Sequence, residues 1–363
     1  MKKLDSGLYK THKEFLVNPL LTLMMLITLE QFAEVPAKIH LFYEYAFEAL
    51  FARHDVTKSG GFQRKRHVII ALDDYRRLFS YFCTISYMKE TFRFTESSAL
   101  EMLAKSISSS QIDAKKEDML EDLVQCTCML ARDGLDYVFN HRSFQEYFVA
   151  YFFARIKVEE FERVAPRLIV RGSLDNVFLM MSEMNKEKFE ESWALPQLNS
   201  LWEAIKDIDP TVNPIGFFKS LGSGNIIMLA PMDHIGVDMN SHENQNQALI
   251  KSNTRYSLFK IYGAFESLSQ VHSKYRSNDA LILNKIRTGE ILKNDSRFNQ
   301  LRTGDTKSTM VQIRANEADK EWFKETAMGK CAACEKQELF RLRAEVSERV
   351  EQRKVGLASI LDL

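Results

Sequence analysis

A chain of 363 residues, 45% of them hydrophobic, can fill two or three packed domains. Its 49 Lys and Arg balance its 49 Asp and Glu, so the net charge argues neither for a nucleic-acid coat nor for an anionic membrane surface. Five scattered cysteines, an odd number, argue against a disulfide framework and for a reducing cytoplasm.

With 25 Phe and 12 Tyr against 14 Gly and 7 Pro, the composition is that of a mostly helical protein. The first residues, Met1-Lys2-Lys3-Leu4-Asp5, lack the apolar run of a signal peptide. The longest apolar stretch, Leu20 to Leu29, is too short to span a bilayer. It reads as part of a helix from Asn18 to Phe32, apolar on nearly all sides and buried within a larger assembly. A second helix is expected from Ala37 to Arg53, then an exposed connector, Val56 to Arg66, carrying Ser59-Gly60-Gly61.

Helical periodicity resumes from His67 to Met88, followed by a short strand at Phe92 to Phe94. Thr95 is a candidate N-cap, and Ser98 with Glu101 has capping-box spacing, for a helix through Ile107. Asp113 is expected to cap another helix, with Met119, Leu123 and Cys126 on its inner face. Asp133-Gly134 between two apolar runs then signals a hairpin, because glycine tolerates the positive φ of a tight turn. Helices followed by a hairpin make a winged-helix pattern, and Ser143 to Ile156 is an aromatic-rich helix after it.

Amphipathic helices are expected from Val158 to about Ile208, with a joint at Pro210 to Pro214. Gly216 to Arg255 is richer in Gly, Asn and Ser, and Ile226 to Pro231 reads as a strand leading into a polar loop. Helices resume from Tyr256 to Ile291, Asn294 to Lys307 is loop-like, and Ala318 to Leu363 reads as a charged amphipathic helix or helix pair. Its stripe of Leu339, Leu342, Val346, Val350, Leu357 and Leu361 would dock on the body or self-associate into a homo-oligomer. The fold class expected is mostly α: a helical domain and a winged helix with a small β-hairpin, then a helical or α+β C-terminal region. The domain bounds are 1–60, 61–156, 157–210 and 211–363.

Two stretches carry a resemblance. Val17-Asn18-Pro19-Leu20-Leu21-Thr22-Leu23 with the later run Leu41 to Arg53 resembles the "NPLLL" and "LY..A...L..R" helices of the NACHT family of STAND signal-transducing NTPases. Phe139-Asn140-His141-Arg142-Ser143-Phe144-Gln145-Glu146-Tyr147-Phe148 is similar to that family's "F.H.SFQEYFAA" box at the end of the winged helix. The match covers roughly Pro19 to Ala154.

The resemblance implies that Pro19 packs near the adenine and that His141 contacts the diphosphate of bound ADP, holding the molecule shut. Such a contact favours one of two packings, and so acts as a switch in a nucleotide-sensing signalling protein of a bacterial or phage-defence setting. Both residues also have ordinary readings: Pro19 as a first-turn proline, and His141 as a hydrogen-bonding turn residue. Phe144, Tyr147, Phe148 and Tyr151 read as core, and Glu146 as structural.

No GxxxxGK[ST] occurs; Gly222-Ser223-Gly224-Asn225 lacks the lysine. The chain by itself is therefore expected not to be an enzyme. ADP or ATP would be bound only together with an upstream NTPase core, in the same gene product or a separate subunit. The trigger would be a protein or nucleic acid, with no membrane partner.

The rivals are a stand-alone winged-helix nucleic-acid-binding protein and a zinc-dependent or nuclease-like C-terminal enzyme. Arg255-Tyr256, Lys260-Ile261-Tyr262 and Lys274-Tyr275-Arg276 fit a nucleic-acid surface or a solvated helix face equally. Cys331 and Cys334 form a lone CxxC leading into a helix from Glu335, without the second ligand pair that zinc needs. Asp233, His234 and Asp238 read as a chance cluster.

Overall fold

The computed structural model describes residues 21–23, 25–26, 38–56, 66–170, 175–222, 226–230, 234–237, 245–288, 311–314 and 320–361. The described residues are mostly helical, with two three-stranded antiparallel sheets. The chain divides into two compact units, Met1–Lys157 with Asp175–Lys186, and Val158–Leu174 with Glu187–Leu363. The stretch 157–210 is thus shared between them.

In the first unit, residues 21–23 and 25–26 are helical. Leu21 and Met25 are buried, but Leu23 and Leu26 are 55% and 47% exposed. The all-round burial expected here is therefore corrected to one buried side, because residues four apart share a helix face and those between do not.

Helix α1 (Ile39–Val56) places Phe42, Tyr43, Phe47 and Phe51 in the core. Helix α2 spans Leu72–Met88 and starts five residues later than its periodicity suggested. The reason is tertiary: the backbone N–H groups of His67 and Val68 donate to the Asp122 carboxylate, at 2.9 and 2.8 Å. Those donors hold the approach to the helix open and satisfy a fully buried acid. Arg76 of α2 is also buried, between Glu48 at 2.8 Å, Asp73 at 3.3 Å and Glu44 at 3.6 Å.

Strand β1 (Arg93–Thr95) leads into α3 (Glu96–Ser110), where the Thr95 hydroxyl accepts from Ser98 N–H at 3.3 Å. Helix α3 ends on Gln111 in the left-handed region, φ 56°. Helix α4 spans Lys116–Gln125, so Asp113 is not its cap; Lys115 holds that position and makes no side-chain cap bond. Glu117 and Asp118 in the first turn face the positive helix end instead.

Strands β2 (Leu130–Asp133) and β3 (Asp136–Phe139) form the expected hairpin, Leu130 opposite Phe139. Its two-residue turn has positive φ at Gly134 (67°) and not at Leu135, which is the type II′ geometry matching strand twist. Strand β1 pairs with the other edge of β3, so the sheet order is β1-β3-β2. Helix, strand, helix, helix and hairpin in that order make the winged-helix arrangement.

Helix α5 (Arg142–Arg155) is buried along most of its length. Phe148 sits edge-on to Phe79 at 4.7 Å and to Phe47 at 5.1 Å, while Phe144 meets Tyr43 at 5.2 Å. After α6 (Val158–Ile169), which belongs to the second unit, α7 (Val177–Met184) packs back onto α5. The Tyr87 hydroxyl donates to Asp175 at 2.5 Å, and Asn185 Nδ2 donates to the Ala154 carbonyl at 3.1 Å.

The second unit contains α6 and, from Glu187 on, α8 (Lys186–Phe189), which runs through a π turn at Glu190–Ala194 into α9 (Leu195–Ile205). Helix α10 (Pro214–Ser220) is capped by Asn213, whose Oδ1 accepts from Gly216 N–H at 3.0 Å. Strands β4 (Ile226–Ala230), β5 (His234–Val237) and β6 (Val311–Arg314) form the second sheet, order β5-β4-β6. Helix α11 (Gln245–Ile261) begins well before the expected Tyr256 and is followed by α12 (Phe265–Thr288). Helices α13 (Lys320–Lys324) and α14 (Ala327–Leu361) complete it.

Leu339, Leu342, Val346 and Val350 of α14 are buried, as their spacing suggested, but Leu357 is 58% exposed. Glu190, in the π turn, is fully buried beneath Arg349 and Arg353 of α14, with Arg349 Nη2 at 2.8 Å.

Candidate functional site

His141 is the N-cap residue of α5, at the joint where the hairpin hands over to that helix. Its backbone is extended (φ −150°, ψ 130°), which turns the imidazole back over the first helical turn. The Ser143 N–H donates to Nδ1 at 3.2 Å, and the Ser143 hydroxyl lies 2.5 Å from the same nitrogen. A backbone donor aimed at Nδ1 makes that atom an acceptor, so the ring proton sits on Nε2. No group among the described residues accepts from Nε2, and the side chain is only half-buried. Burial lowers the imidazole pKa, so the ring is neutral at pH 7. The result is a fixed, uncharged Nε2–H donor beside a helix N-terminus.

The neighbours of His141 are held rigidly. Asn140 Nδ2 donates to the carbonyls of Cys128 (2.6 Å) and Leu130 (3.3 Å), and Asn140 N–H donates to the Met129 carbonyl at 3.1 Å. That clamps the base of the hairpin one residue ahead of the histidine. Arg142 lies over the Phe92 ring at 4.5 Å and 3.5 Å from Glu146 Oε1. Glu146, read as structural, is buried and also accepts from Asn176 N–H at 3.2 Å. Gln145 is fully buried and donates to Ser86 Oγ at 2.8 Å. The "SFQEYF" part of the motif is thus core and scaffold, with Gln145 Oε1 buried and unpartnered among the described residues, while the half-buried His141 presents Nε2–H with no acceptor among them.

Pro19 lies outside the described residues, as do Asp233 and Asp238; His234 opens β5. Among the described residues, no group of three or more His, Cys, Asp or Glu is arranged to hold a metal ion. Cys331 and Cys334 both lie inside α14, which begins at Ala327 rather than at Glu335. Burial pushes the Cys331 thiol up to about 12, and the Cys334 thiol up as well, so both are protonated at neutral pH.

Arg255, one of the basic residues beside an aromatic, is buried against Glu335 at 3.0 Å and presents no surface charge. Burial raises the Glu335 pKa, with Arg255 opposing that shift.

Two features escaped sequence reasoning. The buried Asp122 and Glu190 look like ordinary surface acids in charged helical runs, and only their partners reveal them. The second is the charge of the paired helices α3 and α4. In DNA-reading winged helices the second helix of such a pair enters the major groove. Here α4 presents exposed Glu117 and Glu121.

The His141 cap carries a pH signature. Protonating Nδ1 would replace its lone pair by a donor facing Ser143 N–H. The folded pKa is lowered, so below the unfolded value of about 6.5 the native state binds fewer protons than the unfolded chain. Stability is present above that value and lost as pH falls through it towards the folded pKa. Denaturant midpoints of the first unit should drop as pH falls below about 6.5. In His141→Asn, whose amide oxygen can still cap, that part of the drop should vanish. An unchanged pH slope in the variant would remove the histidine from this role.

Comparison with family models, with curated proteins and with solved structures finds no match for this chain.

Proposed function

We propose that this chain is the regulatory portion of a NACHT-type STAND NTPase, reading the nucleotide state of a P-loop core supplied in the same gene product or by a separate subunit. The observation that carries the reading is His141: Nδ1 is committed to the helix cap, which leaves Nε2–H as a fixed donor at the hairpin–helix joint. A diphosphate oxygen is the natural acceptor for such a donor, since anions are favoured at helix N-termini. A contact made in only one packing biases the equilibrium between two packings.

The rival, a nucleic-acid-binding winged helix, is disfavoured by the exposed acids of α4, which would face phosphates. The test is ADP retention. A P-loop core bound to this chain should release ADP at least about tenfold more slowly than the core alone, the value of one hydrogen bond to a charged group. Equal release rates would overturn the reading.

A further inference from the structure

The winged-helix sheet and the helix pair α3–α4 enclose a cleft of about 280 Å³. Its floor is apolar: Leu120 and Tyr137 are buried, and Leu100 and Val124 half-buried. Its rim is acidic, with exposed Glu96 on α3 and exposed Glu117 and Glu121 on α4. The opposing cation is Arg132, and its guanidinium is turned onto Tyr137, donating to the hydroxyl at 2.8 and 3.2 Å. Lys116 approaches Glu117 only to 3.8 Å, Glu121 accepts from Gln125 rather than from a cation, and Glu96 forms no ion pair among the described residues. Three carboxylates therefore surround an apolar floor with little internal neutralisation.

We propose that this cleft docks a basic amphipathic segment of a protein partner, with aliphatic residues on the floor and Lys or Arg heads at the glutamates. Two physical facts choose this occupant. Long basic side chains lie along apolar surface while their heads reach carboxylates, so one segment satisfies floor and rim together. A nucleic acid would bring phosphates to the same glutamates and is repelled. The proposal does not rest on the nucleotide-switch reading, because His141 contributes nothing to the cleft.

The experiment uses the full chain and three fluorescent probes: a helical peptide of Leu and Lys about four turns long, an oligolysine of equal length, and a short duplex DNA. The amphipathic peptide should bind, more tightly than oligolysine and more weakly as salt rises. The double variant Glu117→Lys/Glu121→Lys should weaken it about tenfold or more, two attractions having become repulsions. Reversing the exposed Glu203, which does not line the cleft, should not, and circular dichroism should confirm that both variants fold. Peptide binding that ignores the rim reversal, oligolysine binding as tight as the amphipathic peptide, or preferential binding of the duplex would each overturn the proposal.

Discussion

Phe148→Ala should destabilise the first unit by about 3–5 kcal/mol, a loss comparable to the whole stability of many small domains. Phe148 is fully buried and meets Phe47, Phe79 and Tyr147 with ring centroids 5.1, 4.7 and 5.0 Å away. These rings come from α1, α2 and α5, so the truncation opens a cavity where three helices converge and none can close it alone. Edge-to-face geometry adds to the area lost from water. Because the chain holds two compact units, a single melting point would mix them. Hydrogen exchange resolved to α2 and α5 is the suitable measurement. Leu135→Ala, at a 96% exposed turn position, is the matched control and should stay within about 0.5 kcal/mol. Equal protection in Phe148→Ala and wild type would mean that the aromatic cluster is not the core.

His141→Ala should raise the open, signalling fraction of the assembled protein by something like ten- to a hundredfold. A hydrogen bond to a charged acceptor contributes about 1.5–3 kcal/mol, and about 1.4 kcal/mol is a factor of ten. The substitution removes two things at once, the Nε2–H donor and the Nδ1 cap on Ser143 N–H. A lost cap costs about 1 kcal/mol of stability and could mimic a switch defect through poor folding. His141→Asn separates them, since asparagine caps well yet its short amide does not place a donor where Nε2 stood. Both variants should release ADP quickly and signal without a trigger, whereas only His141→Ala should lose stability. If His141→Asn retains ADP as the wild type does, the histidine is a cap and nothing more, and the nucleotide reading fails with it.

Local chemistry made much of the winged helix legible from residues alone. Thr95 caps α3 because a hydroxyl there reaches Ser98 N–H, and Gly134 turns the hairpin because its φ is positive. The apolar spacing of Leu339, Leu342, Val346 and Val350 foretold one buried face of α14. His141 stood out through a family-like box, and its place between strand and helix was readable from the hairpin signal before it.

What the tertiary structure decided is everything that depends on partners distant in the chain. Asp122 delays the start of α2 from 54 residues away, which no window of local pattern contains. Asp113 has capping chemistry, but α4 begins beyond its reach. Glu190 and Arg349 are separated by 159 residues, and that acid is buried only once distant segments, Tyr262 and α14 among them, pack against it. The tautomer of His141 is set by a hydrogen bond, and the cleft gathers Glu96 with Glu117 and Glu121 only because α3 and α4 fold together. Propensity and periodicity act over a few residues, so they specify elements. The protonation state, burial and company of a charged side chain are electrostatic properties of the assembled surroundings, and they exist only once the chain has folded.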